Sequence, residues 1–297
     1  MKMDFKTKTD HRRTQKRNAV VRTLVQLLFF IMMPGAFVAG FNGVKTIFQA
    51  IGTGKPLPWN GFTMALAALC VCTVLFGRYF CGYVCAFGTL GDFVYRLSGW
   101  IQTKLFRRKR QLRLPERFLP WWQKLKYLIL AAIVILCAMN LYSALGLWSP
   151  WEFFSLFTAL RMPPAGSALA IALLVLIVLG MALQERFFCQ FLCPMGAVFS
   201  LLPIMPFGQL RRSAERCPDG CKLCKSCCPV SIRLDEDSLR KGECIACERC
   251  ANGCPYGNLS RWDRKLFRQE IVPVLLKAAV FFVLGVLLGL SRFPVLG

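Results

Sequence analysis

Histidine is almost absent from this sequence of 297 residues, which contains only His11. A b-type haem held between two histidines therefore cannot be built from it, and no Cys-x-x-Cys-His motif for covalent haem is present. His11 lies in a polar, basic stretch, where a solvated side chain is expected. The Gly-x-Gly-x-x-Gly pattern and the phosphate-binding loop are also missing. Hydride-transfer, hydrolase and kinase chemistry consequently have no support.

Acidic residues are scarce as well. Asp and Glu number 15 against 38 Lys and Arg, which gives a formal net charge of +23. The basic residues cluster beside long apolar runs, and this distribution is typical of the cytoplasmic loops of membrane proteins. The pattern favours contact with membrane lipid and predicts no binding of nucleic acid.

Apolar residues, in contrast, make up 56% of the chain. Five stretches approach the length of about 20 residues that a transmembrane helix needs. They are Val20–Phe41, Phe62–Phe80, Tyr127–Leu145, Ala168–Phe188 and Ile271–Leu290. We therefore expect a membrane α-helical bundle of about five transmembrane helices in the bacterial inner membrane. The basic segments place the N-terminus in the cytoplasm, and five crossings then place the C-terminus outside.

The stretches group into two similar hairpins, each ending in a Cys-x-x-x-Cys motif. Arg78-Tyr-Phe-Cys81-Gly-Tyr-Val-Cys85 parallels Arg186-Phe-Phe-Cys189-Gln-Phe-Leu-Cys193. The predicted organisation is a basic cytoplasmic arm (1–19), the first transmembrane hairpin (20–98), a basic cytoplasmic loop (99–126), the second hairpin (127–206), a cysteine-rich module (207–270) and a C-terminal transmembrane helix (271–297). Two parallel copies imply a pseudo-two-fold axis along the membrane normal.

The 16 cysteines are interpreted as reduced, metal-binding thiols because most of them follow ferredoxin spacings. The run Cys244-x-x-Cys247-x-x-Cys250-x-x-x-Cys254-Pro matches the bacterial ferredoxin pattern. A second run upstream has one extra residue in its first gap and ends before Pro229. Its cysteines are Cys217, Cys221, Cys224 and Cys228, and Cys227 is a spare thiol beside the last of them.

In two-cluster ferredoxins the last cysteine of each run binds the other cluster. The first [4Fe–4S] cluster would then be bound by Cys217, Cys221, Cys224 and Cys254, and the second by Cys244, Cys247, Cys250 and Cys228. The module is accordingly predicted to be a small α+β ferredoxin with two [4Fe–4S] clusters. A zinc ribbon is the competing interpretation, but two consecutive runs that end in Cys-Pro disfavour it.

The repeated pairs Cys81/Cys85 and Cys189/Cys193 suggest an additional iron or iron–sulfur centre at the inner face of the membrane. Residues i and i+4 share one face of a helix, so each pair could present two sulfurs to one metal. The alternative is that these cysteines are small apolar fillers. Cys70, Cys72 and Cys137 have no such pattern and are interpreted as core residues.

A few charged residues could assist these centres. Candidates for handling the protons of a quinol are Asp92, Glu152 and Glu185, although each is more often a structural carboxylate. The cations that could stabilise reduced clusters are Lys222, Lys225 and Arg249, for which an ordinary surface role is equally expected.

The paired hairpin motifs, together with the two-cluster module, resemble the NapH/NosR/CcoG-like family of membrane polyferredoxins. The NapH type, a quinol dehydrogenase membrane component of anaerobic respiration, is nearest in size and layout. The resemblance covers residues 20 to 265 and implies oxidation of membrane quinol and relay of electrons through [4Fe–4S] clusters. Two departures are Ala86, where the family motif has proline, and the span that follows the module.

We therefore expect an electron-transfer subunit that works between the quinol pool, or a cytoplasmic donor, and an extracytoplasmic redox partner. Expected partners are a periplasmic reductase, a flavoprotein or a ferredoxin. Two other functions stay open at this point. One is an assembly or maturation factor that reduces a metal or cofactor for a respiratory enzyme, and the other is a redox-sensing regulator.

Overall fold

The structure of the protein is a computed structural model. It describes residues 5–107, 118–142, 149–158, 168–206, 208–212, 221, 223–232, 242–256, 258–260 and 271–291. Most of the described chain is helical, and the first helix, α1 (Phe5–Met32), continues from the basic N-terminal stretch into apolar sequence.

A break separates α1 from α2 (Ala36–Gly52), and the two helix axes differ by 62°. Pro34 lies in the break, where it cannot donate a backbone hydrogen bond to the preceding turn. The predicted span Val20–Phe41 therefore contains a bend, because a proline interrupts the apolar run. Helix α2 packs extensively against α3 (Gly61–Phe76).

Helix α3 has well-defined ends. Asn60 and Thr63 form a capping box at its start, which satisfies two otherwise free backbone donors. Gly77 ends it with φ of +71°, a left-handed conformation that glycine adopts without a side-chain clash. A π-helical turn, Phe80–Val84, then leads into α4 (Ala86–Phe106).

The second repeat is built from α5 (Leu119–Ala138), α6 (Pro150–Thr158), α7 (Ala168–Leu183), α8 (Phe187–Phe191) and α9 (Pro194–Leu201). The two repeats match where the cysteine motifs lie. Cys85 precedes α4 and Cys193 precedes α9, each as the N-cap residue with extended backbone. The predicted internal repeat is thus visible in the local geometry of both motifs.

The cysteine-rich module contains α10 (Leu223–Cys227) and α11 (Arg249–Gly253). Its strands β1 (Arg211–Arg212) and β2 (Leu259–Ser260) pair antiparallel, which brings the two ends of the module together. After it, α12 (Val272–Leu287) packs against the π-helical turn and α3. Short helices with a two-stranded ribbon agree with the small α+β architecture expected there.

One helix of the described chain, over Trp121–Ala138, is long and apolar enough to cross a membrane, and the bent pair α1 and α2 could count as a second. Helices α3, α7 and α12 are apolar but have 16 residues each. At about 1.5 Å per residue they are shorter than the hydrocarbon core, which is about 30 Å thick. The bundle of five transmembrane helices stays a prediction.

Candidate metal centres and the contacts between them

The four cysteines of the hairpin motifs come together in the core. Cys81, Cys85, Cys189 and Cys193 are each at most 7% exposed. The Cys85 thiol interacts electrostatically with those of Cys189 and Cys81, and the Cys193 thiol interacts with all three others. We refer to these four residues as the hairpin site. The two sequence motifs, 108 residues apart by Cys81 and Cys189, therefore build one cluster of thiols.

The local reason for this arrangement differs from the expected one. Within each motif the chain turns before the second cysteine, so the pair does not lie on one face of a continuous helix. Instead the second cysteine caps the next helix. The backbone N–H of Gly196 donates to Cys193 Sγ at 3.1 Å, whereas the Cys85 side chain forms no such capping hydrogen bond. In both repeats the second cysteine therefore stands at the start of the following helix.

An arginine begins each motif, and both arginines cross to the opposite repeat. Arg78 and Arg186 are 1% exposed. A Cβ at Gly88 would overlap the guanidinium of Arg186, and a Cβ at Gly196 would lie 3.0 Å from Nη2 of Arg78. Because each glycine has no side chain, it leaves space for the arginine of the other repeat.

Arg186 belongs to a buried ionic group with Asp92 and Arg22. Its Nε and Nη2 donate to the two carboxylate oxygens of Asp92 at 2.7 and 2.6 Å. Arg22 Nη2 and Gln26 Nε2 donate to Asp92 Oδ2 at 2.7 and 2.9 Å. Arg186 also donates to the carbonyl of Cys81 at 2.6 Å, so this group contacts the hairpin site directly.

Arg78 belongs to a second ionic group, with Glu243 and Lys126. Nη1 of Arg78 lies 3.3 Å from the Glu243 carboxylate, which Lys126 also contacts and to which Tyr127 donates at 2.7 Å. Burial alone would raise the pKa of Glu243, but Arg78 and Lys126 more than offset this and lower it. The carboxylate is thus held in its charged form.

Each group combines two cations with one carboxylate and so carries one net positive charge. In addition, Nε and Nη2 of Arg78 have no oxygen acceptor among the described residues, and the guanidinium instead interacts with the thiols of Cys81 and Cys193. A buried excess of positive charge is unfavourable unless an anion lies beside it. A metal centre bound by four thiolates is such an anion, so these residues fit it.

The second ferredoxin site is also gathered in one place. Its four predicted ligands, Cys228, Cys244, Cys247 and Cys250, all line one small cavity beneath the Pro229 turn. Burial and the neighbouring thiols of Cys247 and Cys244 raise the pKa of Cys228 to about 12. The crossed ligand set predicted from the spacing is therefore the set that surrounds this cavity.

The first ferredoxin site is described in part. Cys217 lies outside the described residues. Cys224 and Cys254 belong to a small core with Cys250, and Cys221 is half-buried. Cys227 lies against Gly253, where a Cβ would be 3.2 Å from its sulfur.

The carboxylates considered for quinol protons all have cationic partners. Asp92 pairs with Arg22 and Arg186, Glu152 pairs with Lys45, and Glu185 pairs with Arg249. Lys222 lies outside the described residues. The motif arginines were missed as functional candidates from sequence, although their repetition three residues before Cys81 and Cys189 was the available signal.

Within the described chain, no three His, Cys, Asp or Glu side chains already stand in the geometry of metal ligands. The assignment of cysteines to clusters accordingly stays a prediction, which rests on motif spacing and on which thiols lie together.

A protein family described as 4Fe-4S binding domain matches residues 57–113 and 166–203. These two segments contain the hairpin motifs and lie before the ferredoxin module. The matched regions therefore associate the hairpin cysteines with iron–sulfur proteins.

Relatives of this chain extend beyond the matched segments. The uncharacterized protein MJ0750 of Methanocaldococcus jannaschii is 28% identical over 81% of this chain and 94% of its own length. The putative electron transport protein YccM of Escherichia coli is 28% identical over 77% of this chain and 64% of its own. The ferredoxin-type protein NapH of Escherichia coli is 27% identical over 68% and 70%. No solved structure matches this chain.

Proposed function

Since the chain belongs to the NapH/NosR-like polyferredoxin family and has an iron–sulfur electron-transfer role, we propose that it is a membrane-bound subunit of a respiratory redox system. It exchanges electrons between the quinol pool, or a cytoplasmic donor, and an extracytoplasmic partner. A periplasmic reductase, a flavoprotein or a ferredoxin is a partner of suitable chemistry.

The observation that carries this proposal is the hairpin site itself. Four thiols from two repeats meet beside two buried groups of net positive charge, and that combination suits an iron or iron–sulfur centre better than apolar packing. Cys81, Cys85, Cys189 and Cys193 would be its ligands. When bound, such a centre accepts and releases single electrons without proton transfer.

The ferredoxin module would hold two [4Fe–4S] clusters, the first bound by Cys217, Cys221, Cys224 and Cys254 and the second by Cys244, Cys247, Cys250 and Cys228. Burial of Cys247 and Cys250 and the largely apolar lining of their cavity would limit the access of water to the second cluster. Low solvent access keeps a cluster's potential under the control of nearby charges and hydrogen bonds.

A membrane setting is supported by the surface of the helices. On α7, side chains such as Leu169, Leu176 and Leu179 are about half exposed or more, at 48%, 64% and 56%. An apolar surface of this kind on a monomer marks contact with lipid or protein. We propose five crossings of the inner membrane, with the N-terminus and the module in the cytoplasm.

The test is iron and sulfide analysis with EPR of the purified, dithionite-reduced protein under anaerobic conditions. Wild type should contain more iron than two [4Fe–4S] clusters hold, whereas Cys81→Ser and Cys189→Ser should each lose the same EPR signal. Cys72→Ser is the matched control, because this buried cysteine lies in α3 outside the motifs. Identical iron content in all four proteins would mean that the hairpin cysteines bind no metal and serve only as packed core residues.

A further inference from the structure

Gly82 brings the hairpin site into backbone contact with the second ferredoxin site. It lies next to Cys81 in the π-helical turn, and a Cβ at this position would overlap the carbonyl oxygen of Ile245. The same Cβ would lie 3.4 Å from the backbone nitrogen of Cys247. Only a residue without a side chain allows the two segments to approach this closely.

Two further contacts join the same pair of sites. Gln190, next to Cys189, donates from Nε2 to the carbonyl of Pro229 at 2.8 Å. Pro229 follows the predicted ligand Cys228 directly. Both hairpin motifs are therefore connected to the loops of the second ferredoxin site, one through Gly82 and the other through Gln190.

The packing of the cores separates the two ferredoxin sites. All four hairpin cysteines belong to one buried core that also contains Cys247, and Cys228 and Cys244 pack against it. Cys254 lies in a different core, against which Cys224 packs. Cys250 belongs to the second core, so it joins the two ferredoxin sites.

From these contacts we infer a fixed order of centres: the hairpin centre, then the cluster bound by Cys244, Cys247, Cys250 and Cys228, then the cluster bound by Cys221, Cys224 and Cys254. Gly82 is the positioning residue that sets the first separation. The inference rests on the proposed function, because it requires a redox centre at the hairpin site. With both centres bound, one electron would pass from the reduced hairpin centre, which is thereby oxidised, to the adjacent [4Fe–4S]2+ cluster, which would become [4Fe–4S]1+. The reverse transfer uses the same contact, and no bond or proton changes.

The experiment uses the whole purified protein with all its centres, reduced stepwise with dithionite. Two paramagnetic centres in contact broaden each other's EPR lines, so the broadening of the hairpin signal reports its neighbour. We compare wild type with Gly82→Ala, and with Gly61→Ala as the matched control, since a Cβ at Gly61 meets no atom within 4 Å. Two ligand variants, Cys247→Ser and Cys221→Ser, remove one ferredoxin cluster at a time. Iron content is measured for every protein.

We expect the broadening to be lost in Cys247→Ser and retained in Cys221→Ser. In Gly82→Ala it should decrease while the iron content stays that of wild type, and Gly61→Ala should match wild type. Loss of the broadening in Cys221→Ser with retention in Cys247→Ser would overturn the order, even if Gly82→Ala fails to fold. A wild type that contains no third centre would instead overturn the proposed function, and the inference with it.

Discussion

Asp92 is expected to be the most sensitive carboxylate of the described chain. It accepts four hydrogen bonds, from Arg22, Gln26 and both Nε and Nη2 of Arg186, and it is 5% exposed. Asp92→Asn preserves the shape but leaves two buried guanidinium groups without a counter-charge. Removing one partner of a buried ion pair costs about 3–5 kcal/mol. This is a large part of the total stability of a typical domain, which is about 5–15 kcal/mol.

The assay is thermal unfolding of the variant in detergent at fixed protein concentration. A loss of this size corresponds to a decrease in midpoint of roughly 10 °C for a chain of this length. Glu185→Gln is the control, because the Arg249–Glu185 pair is more exposed, at 39% and 21% of the side chains, and such pairs contribute about 0–1 kcal/mol. Equal midpoints for Asp92→Asn and the control would refute the view that this ionic group organises the hairpin site.

Three other changes have defined outcomes. Arg78→Met removes a buried cation beside the hairpin site and should lower the reduction potential of its centre in a redox titration. The expected shift is about 60 mV, which is a tenfold change in the equilibrium constant of a one-electron couple. An unchanged potential would contradict the role of Arg78. Cys228→Ser should lose one cluster by iron analysis, whereas Cys227→Ser should lose none; the opposite pattern would exchange the two thiols as ligands. Gly43→Ala should destabilise the protein by about 1–3 kcal/mol in thermal unfolding, because its Cβ would overlap α3. Gly35→Ala is the control and should unfold with the wild-type midpoint, because a Cβ at Gly35 meets no atom within 4 Å.

Much of the candidate site follows from local sequence. Ligand spacing in a ferredoxin run is set over a few residues, so the grouping of Cys228 with Cys244 and Cys247 could be predicted before the cavity was seen. The sequence also predicted that Cys81 and Cys189 would lie close together, because equivalent residues of two repeated hairpins can meet.

The charged partners could not be predicted in this way. Asp92 and Arg186 are 94 residues apart, and Arg78 and Glu243 are 165 apart. No periodicity within a helix pairs residues at such separations, since their contact depends on how the whole bundle packs. The break at Pro34 could have been predicted, because proline removes a backbone donor. Hydropathy alone does not reveal it, since the sequence is apolar on both sides of the proline.

The crossed arginines have a consequence for how this protein is assembled. Arg78 requires the space left by Gly196, and Arg186 requires the space left by Gly88, so each repeat completes the site of the other. Half of the chain on its own would expose an unpaired arginine and two thiols. It follows that both repeats must be present before the arginine of either motif reaches its place beside the thiols of the other.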